Sequence, residues 1–383
     1  MTTLKESIKP RFRAQSREFY MLLGLTAVIT LLGLAMVASA SSVDAFKSTA
    51  NAADTVIRQG GFALIGAVAL VVASNLPLAI YKRFALLFLW GTLGLQLLTV
   101  LFGNEINGNR NWLDLGFTSI QPSEFLKLGL VIAFSLMLSE LTGDELYDQQ
   151  IWKRVFVYSG AALVMVVYFG KDMGTGVVMV ITLAGLFLFA GMKLRSWLGL
   201  MGLVAFGAFA LVMMSGSRRA RFAAWLNPTE ADPMGVNWQF EKGTWALAQG
   251  GIFGSGLGRS RMKWSWIPEV QNDFIFAIIG EELGLIGALF VILLFCALAV
   301  TMFMIAKNQT NAFSRNIVAT VMVWISMQAF INIGVVLGLF PVLGVPLPLI
   351  SAGGSSLIIT LASIGVVLAV ERDRVKNLGR SRR

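Results

Sequence analysis

Ten long apolar stretches limit what this chain can fold into. Several approach or exceed the roughly 20 apolar residues that a helix needs to cross a bilayer. Apolar residues make up 56% of the sequence and charged residues only 14%, whereas a soluble domain carries roughly 25% charged residues. We therefore expect an all-α polytopic membrane protein with about ten transmembrane helices. The predicted spans are residues 19–41, 61–81, 84–103, 123–141, 155–170, 173–192, 197–216, 274–306, 316–340 and 349–370.

Basic residues indicate the orientation of these spans. Lys and Arg are concentrated in both tails and in alternate loops, including Lys82 and Arg83, and the opposite short loops hold few of them. By the positive-inside rule, both termini are predicted to be cytoplasmic. The chain then divides into a basic tail, a membrane domain with one large extracytoplasmic loop, and a second basic tail. Their predicted bounds are 1–18, 19–370 with the loop at 217–273, and 371–383.

The net charge of +10 does not indicate a nucleic-acid partner. Most of the excess lies beside the predicted cytoplasmic leaflet, where anionic membrane lipid accounts for it. The single cysteine, Cys296, excludes an intrachain disulfide and disfavours a metal cluster of thiolates. The chain has no histidine, so any proton abstraction falls to Asp, Glu, Lys or Tyr.

Asp273 is the strongest candidate for such a base. It ends a polar, tryptophan-rich stretch, and the apolar sequence FIFAIIG follows immediately. A carboxylate at this position is expected at the lip of the bilayer, where it can act on a substrate whose tail stays in lipid. Glu269 precedes Asp273 by four residues. One of the two could be the base and the other a metal ligand or an orienting group.

Three further groups of polar residues could contribute to a site. Arg110 and Trp112, in NGNRNW, suit a phosphate group and a sugar face. Glu124 and Lys127 share one face of the fourth span, which fits a structural ion pair or a polar cavity for anionic substrate groups. Asp172 either caps the sixth span, pairs with Lys127, or helps to hold a divalent cation.

Basic residues in the predicted outer loop run against the positive-inside bias. They are Arg218, Arg219, Arg221, Arg259, Arg261 and Lys263. Surface charge is one explanation, but we prefer recognition of a pyrophosphate lipid, because Arg and Lys neutralise phosphate well.

We also expect one of the adjacent acids Glu281 and Glu282 to turn to a polar interior. Ser355 lies in SAGGSS, whose small residues indicate close helix packing, and it is a further candidate for substrate binding.

Four motifs together resemble one family. NGNRNW…QPSEFLK, DMGTG, GSGLGRSRMKW…PEVQNDFIFAIIGEELG and NIGV…LPLISAGGSS have the order and spacing of the SEDS proteins (shape, elongation, division, sporulation). The resemblance covers nearly the whole chain. LGLAMVASASSV, NGNRNWLDLG and ADPMGVNWQ look more like the division branch than the elongation branch. The chain departs from the family at Lys171, Gln271, Leu349 and Ala352, where Pro, His, Phe and Tyr are usual.

The resemblance implies a peptidoglycan glycosyltransferase that polymerises lipid II at the outer face of the bacterial cytoplasmic membrane, at the division septum. It places the catalytic aspartate of the family on Asp273. The expected partners are a class B penicillin-binding protein, acting as transpeptidase, and other divisome proteins. We expect a divalent cation, Mg²⁺ or Mn²⁺, to stabilise the leaving diphosphate. The candidate substrate-binding residues are Arg110, Trp112, Glu124, Lys127, Arg259, Lys263, Glu269 and Ser355, and the candidate metal ligand is Asp172.

Three other functions stay open at this point. A lipid II flippase would also need intramembrane polar residues and a lipid substrate. It would also need alternating access, and the sequence shows no obvious inverted pair of broken helices. A non-catalytic scaffold could recruit the transpeptidase, and an elongation-type polymerase could use the same chemistry.

Overall fold

The fold is a bundle of long helices, seen in a computed structural model. The structure describes residues 15–49, 54–106, 108–116, 118–141, 148–227, 238–261 and 271–381. Within these residues there are twelve α-helices, one π-helical segment and a three-stranded sheet. Nine of the described helices are long and apolar enough to cross a membrane, and α6 is a shorter apolar helix. The all-α polytopic membrane fold is confirmed, and the sheet is a small addition to it.

The helices follow one another along the chain and are joined by connections of different lengths. They are α1 (Arg17–Thr49), α2 (Asp54–Asn75), α3 (Leu78–Phe102), α4 (Pro122–Ser139), α5 (Gln149–Leu163), α6 (Met173–Phe189), α7 (Leu194–Met213), α8 (Gly216–Leu226), α9 (Trp238–Gly250), α10 (Ile275–Lys307), α11 (Ala312–Val336) and α12 (Gly354–Ser381). The π-helical segment Val164–Phe169 extends α5. The antiparallel strands are β1 (Asn104–Ile106), β2 (Asn109–Asp114) and β3 (Ser119–Ile120), in the order β1-β2-β3.

The turn between the second and third spans lies earlier than predicted. We placed the end of the second span at residue 81, but α2 ends at Asn75. Pro77 is the N-cap of α3, with φ −67° and ψ 146°. Since proline lacks an N–H and fixes φ, it suits a helix start and ends the preceding helix. Lys82 and Arg83 therefore lie in the first turns of α3 and not in a loop.

The eighth predicted span, 274–306, is two helical segments joined at Gly284. This glycine has φ 69° and ψ −168°, a backbone conformation that is essentially restricted to glycine. The loop after α9 pairs with the main chain on both sides of the break. Ser255 N donates to the Glu281 carbonyl (2.9 Å), and Leu285 N donates to the Gly251 carbonyl (2.9 Å). These bonds satisfy backbone groups that the interruption takes out of the helix.

The most buried spans are α4, α11 and α12. In an apolar 18-residue stretch of each helix, 83% of the residues are buried in α4 and α12 and 67% in α11, whereas none are buried in α7. Glycines allow the closest approach between α2 and α12. A Cβ on Gly365 would lie 2.6 Å from the Leu70 carbonyl and 2.8 Å from the Ala73 Cβ. Small residues of this kind let helix backbones approach closely in lipid. The centre of the bundle is therefore α4, α11 and α12, and α7 lies at its edge.

The segment predicted as one large loop, residues 217–273, contains two helices in its described part. α8 covers Gly216–Leu226 and α9 covers Trp238–Gly250. α9 packs on the first segment of α10, where a Cβ on Gly250 would overlap the Gly280 carbonyl. The extracytoplasmic placement of this segment stays a prediction. α12 continues to Ser381, past the predicted end of the last span at residue 370.

Candidate functional site

The segment that carries Asp273 is fixed through its main chain. The carbonyl of residue 271 accepts a hydrogen bond from Ala352 N (2.9 Å). The carbonyl of residue 272 accepts one from Ser351 Oγ (2.5 Å), and the carbonyl of residue 273 accepts one from Asn332 Nδ2 (2.8 Å). The donors belong to α11 and to the loop between α11 and α12. Because three successive carbonyls are bonded to other elements, the backbone of Asp273 has one well-defined position.

The Asp273 carboxylate lies beside Gly344 of the same loop. Its Oδ2 atom is 3.4 Å from the place that a Cβ on Gly344 would occupy. Gly344 has φ 67°, a conformation that favours glycine. The next residue, Phe274, is buried and faces Gly243 of α9, where a Cβ would lie 3.0 Å from its ring. Asp273 itself is half-buried, whereas Phe274 is 1% exposed.

The loop between α11 and α12, residues 337–353, is anchored by two amide side chains of α11. Gln328 Nε2 donates to the Pro346 carbonyl (3.0 Å), and Asn332 Nδ2 donates to the Val345 carbonyl (2.7 Å). Both donors are buried, to 2% and 1% exposure. Buried amides that are satisfied in this way hold a backbone firmly. The loop beside Asp273 is therefore positioned by the core of the bundle.

Glu124 and Lys127 form the ion pair that their spacing on α4 predicted. Glu124 Oε1 and Lys127 Nζ are 2.9 Å apart, with side-chain exposures of 3% and 2%. The ammonium group also donates to Gln328 Oε1 (3.3 Å) and lies 4.7 Å from the centre of the Trp324 ring. Neither charge is open to a substrate in this state, so direct contact with substrate stays a prediction. Through Gln328 the pair is connected to the α11–α12 loop.

Asp172 caps α6, as one of its three interpretations predicted. Its Oδ1 accepts from Thr175 N (2.9 Å), and its Oδ2 accepts from Asn111 Nδ2 (2.6 Å) and Gln121 Nε2 (3.3 Å). The cap thereby joins β2, the start of α4 and the start of α6. Lys127 pairs with Glu124 instead.

The surroundings of Asp172 do not fit a divalent cation. Both carboxylate oxygens already accept hydrogen bonds. In the part of the chain that the structure describes, no group of three or more His, Cys, Asp or Glu side chains could hold a metal ion. Mg²⁺ and Mn²⁺ bind through several oxygen ligands, mainly carboxylates and water. Glu269 lies outside the described residues, and the expected cation stays a prediction.

Ser355 belongs to the network around Asp172. Its Oγ accepts a hydrogen bond from Gln121 N (3.0 Å), and the Gln121 side chain reaches Asp172. α6 also touches the α11–α12 loop directly, because a Cβ on Gly174 would overlap the Leu343 carbonyl. The Asp172 network and Asp273 therefore contact the same loop from two sides.

Arg110, Trp112 and Arg259 are the other predicted substrate-binding residues in the described part of the chain. Arg110 is exposed, its N donates to the Gly170 carbonyl (2.9 Å), and its Nη1 donates to the Val100 carbonyl (3.5 Å). Trp112 is half-buried on β2. Arg259 is exposed. Lys263 and Glu269 lie outside the described residues.

Glu281 and Glu282 both have polar partners, whereas we expected this of only one. Ser260 Oγ and Arg261 N donate to Glu281 (2.5 and 2.7 Å), and Ser39 Oγ donates to Glu282 (2.7 Å). The cause is the break at Gly284, because the loop after α9 folds over this part of α10. The two acids anchor the start of the segment that leads to Asp273.

Comparisons with known proteins identify the family and the fold. The model of the cell cycle protein family that comprises FtsW, RodA and SpoVE matches residues 19–376. The probable peptidoglycan glycosyltransferase FtsW of Mycobacterium tuberculosis is 38% identical over 356 residues, which cover 92% of this chain and 68% of that protein. The stage V sporulation protein E of Bacillus subtilis is 37% identical over 358 residues, which cover 91% and 95%.

Solved structures share the fold over almost the whole chain. A chain from a peptidoglycan synthase complex that coordinates polymerisation and crosslinking superposes with a TM-score of 0.76 at 26% identity, covering 95% of this chain and 99% of that one. The rod shape determining protein RodA of Thermus thermophilus gives a TM-score of 0.70 at 26% identity, with the same coverage.

Proposed function

The chain belongs to the FtsW, RodA and SpoVE family of cell cycle proteins, and on that premise we propose that it is a peptidoglycan glycosyltransferase that polymerises lipid II. The observation that carries the proposal is the half-buried residue Asp273, whose backbone is fixed by hydrogen bonds to the carbonyls of residues 271–273. Curated relatives that are 32–38% identical bear the name of probable peptidoglycan glycosyltransferase.

Asp273 acts as the general base in this proposal. Its carboxylate accepts the proton of the 4-hydroxyl of the acceptor sugar, and that oxygen forms a bond to the anomeric carbon of the donor. The bond from that carbon to the diphosphate of the undecaprenyl carrier breaks, and the diphosphate leaves with the electron pair. Attack from the opposite face converts an α-linkage into a β-linkage, by the inverting logic of carbohydrate enzymes.

Fixing the base is the main contribution of the fold. A general base contributes roughly 10²–10⁴-fold to a rate when it lies within hydrogen-bonding reach of its proton. The three hydrogen bonds to residues 271–273 restrict the backbone of Asp273, and Gly344 leaves room for its side chain. Since the chain has no histidine, a carboxylate is the group best suited to accept the proton near neutral pH.

We also propose that both termini are cytoplasmic and that Asp273 faces outward at the division septum. The distribution of charge supports this orientation. Lys82, Lys307 and Arg315 lie at the end of the bundle opposite Asp273, near the ends of α3, α10 and α11. Positive residues favour the cytoplasmic side of a membrane.

A class B penicillin-binding protein and other divisome proteins are the proposed partners. The similarity to a chain of a peptidoglycan synthase complex supports the first of these. Such a partner would crosslink the strands that this chain polymerises.

The test is polymerisation of purified lipid II in detergent, read as glycan chains on a gel. Asp273→Asn and Asp273→Ala should lower the rate by roughly 10²–10⁴-fold while the thermal unfolding midpoint stays within a few degrees of the wild type. Asp114→Asn, at an exposed carboxylate on β2, is the matched control and should polymerise normally. Undiminished polymer from the Asp273 variants overturns the proposal, as does a wild-type protein that makes no polymer with its partner present, which a flippase or a scaffold predicts.

A further inference from the structure

A small cavity lies beside the α11–α12 loop, close to the residues of that loop that adjoin Asp273. Its volume is about 220 Å³, and its lining includes Lys171, Asp172, Arg218, Arg221 and the loop residues 341–343. Gly344 directly follows the lining residues 341–343 and lies beside the Asp273 carboxylate. The cavity and the proposed base are therefore separated by a few residues of one loop.

Three positive side chains line this cavity. Arg218 and Arg221 are one turn apart on α8, and Lys171 lies opposite, between the π-helical segment and α6. Burial lowers the pKa of the Arg218 guanidinium, and the positive charge of Arg221 lowers it further. Two like charges held this close repel each other, and an anion between them would relieve the repulsion.

The acidic groups nearby offset only part of this charge, because Asp172, which also lines the cavity, contributes one negative charge against three positive ones. Both oxygens of Asp172 accept hydrogen bonds from groups outside the cluster, as described above. Lys171 pairs with Glu105 at 3.1 Å, but the two side chains are 54% and 48% exposed. An ion pair this open to water is weak and exchanges easily with another anion.

The backbone around the cavity is rigid and supports anion binding. Trp225 Nε1 donates to the Gly338 carbonyl (3.0 Å), which ties α8 to the α11–α12 loop. Arg218 Nη2 donates to the Lys171 carbonyl (3.4 Å), and Lys171 has φ 56°, a strained conformation for a residue with a side chain. The helix α8 also begins at this cavity, and the positive end of a helix dipole favours anions.

We propose that this cavity binds the diphosphate group of the lipid-linked substrate, through Arg218, Arg221 and Lys171. The inference rests on the proposed function and adds a binding site to it. A volume of 220 Å³ is smaller than the roughly 300–1,000 Å³ of sites for drug-sized ligands, so the cavity suits one charged group and not a disaccharide. Helix α7 lies beside the cavity, and none of the residues in its apolar stretch is buried by the rest of the described structure. This leaves a lipid-facing path for the isoprenoid chain.

The binding test uses the full chain carrying Asp273→Asn, so that no turnover interferes. Undecaprenyl diphosphate, undecaprenyl monophosphate and inorganic diphosphate are titrated separately against the purified protein. We expect the lipid diphosphate to bind most tightly, and Arg218→Gln and Arg221→Gln to weaken it at least ~10-fold each, since both would remove a charged hydrogen-bond donor. Arg195→Gln is the matched control, because Arg195 is an exposed arginine at the start of α7 that does not line the cavity.

The outcomes separate this inference from the proposed function. Equal affinity in Arg218→Gln, Arg221→Gln and the control Arg195→Gln overturns the diphosphate site, whatever the activity of Asp273 variants. Binding of inorganic diphosphate as tight as that of the lipid form would also overturn it, since the site would then recognise a free anion. Arg221→Lys keeps the charge and should retain part of the affinity, which distinguishes lost binding from lost folding. In the wild-type background, the variants Arg218→Gln, Arg221→Gln and Arg221→Lys should lower the rate of polymerisation in the same order in which they weaken binding.

Discussion

Asn332 Nδ2 donates a hydrogen bond of 2.8 Å to the main-chain carbonyl of Asp273. The same amide nitrogen donates to the Val345 carbonyl at 2.7 Å. One side chain of α11 therefore sets the distance between the proposed base and the loop beside it. Because reacting groups that move by about 1 Å can lose roughly 10²-fold in rate, this amide is expected to matter for activity although it touches no substrate.

Replacing Asn332 by Leu removes both hydrogen bonds at similar volume. We expect kcat for lipid II polymerisation to fall by roughly 10–100-fold with a smaller change in KM, because the base is displaced while the substrate groups remain. Asn316→Leu is the control, since Asn316 is an equally buried asparagine near the other end of α11. An equal loss of kcat in both variants would show that the effect comes from packing alone.

Gly344→Ala tests the space beside the carboxylate. The added methyl group would sit 3.4 Å from Asp273 Oδ2, on a backbone with φ 67°. The backbone strain should destabilise the protein by about 1–2 kcal/mol, and the methyl group would occupy the space beside the carboxylate, which should lower polymerisation further. Gly116→Ala introduces comparable strain, at φ 87°, with no atom within 4 Å. Unfolding in detergent and gel assays of both variants separate the two effects, and normal activity in Gly344→Ala would contradict the prediction.

The Glu124–Lys127 pair is expected to behave as one unit. Lys127→Met leaves a buried carboxylate without its cation, which should destabilise the fold by roughly 3–5 kcal/mol. Adding Glu124→Gln should recover most of that loss, because a neutral amide tolerates burial better than a charge. A double-mutant cycle on unfolding free energies measures the coupling. Additive losses would mean that the two charges do not stabilise each other.

Sidedness is open to direct labelling, because Cys296 is the single cysteine of the chain. In a Cys296→Ser background, Ser119→Cys and Lys376→Cys place thiols at exposed positions at opposite ends of the bundle. A membrane-impermeant maleimide should label Ser119→Cys in right-side-out vesicles and Lys376→Cys only in inverted ones. The reverse pattern would invert the proposed orientation.

Removal of divalent cations tests the expected cofactor. A chelator should stop polymerisation, and Mg²⁺ or Mn²⁺ should restore it, because a cation offsets the charge that develops on the leaving diphosphate. Activity that survives complete chelation would show that the prediction is wrong and that basic side chains carry this role without a metal.

Local features were predictable from the sequence, and features that depend on distant segments were not. The spans follow from long apolar windows, and the cap at Asp172 and the ion pair on α4 were each among the interpretations that the local sequence offered. The turn at Pro77 was missed because residues 76–81 are almost all apolar, and hydropathy alone does not show a turn there. The proline itself was the available signal.

The supports of Asp273 could not be derived in the same way. Asn332 is 59 residues from its partner Asp273, and no sequence pattern connects the two. A usable signal was present, because Gln328 and Asn332 are two amides one turn apart in an apolar span. The break at Gly284 was hidden, since a lone glycine in an apolar helix is tolerated and the inserted loop comes from elsewhere in the chain.

The position of Lys127 has a consequence for biosynthesis. Its carboxylate partner is three residues away on the same helix, whereas Gln328 is 201 residues further along the chain. At roughly 5–20 residues per second, Gln328 leaves the ribosome about 10–40 s after Lys127. α4 therefore enters the translocon carrying its own counter-ion, so that its insertion need not wait for the helix that later encloses it.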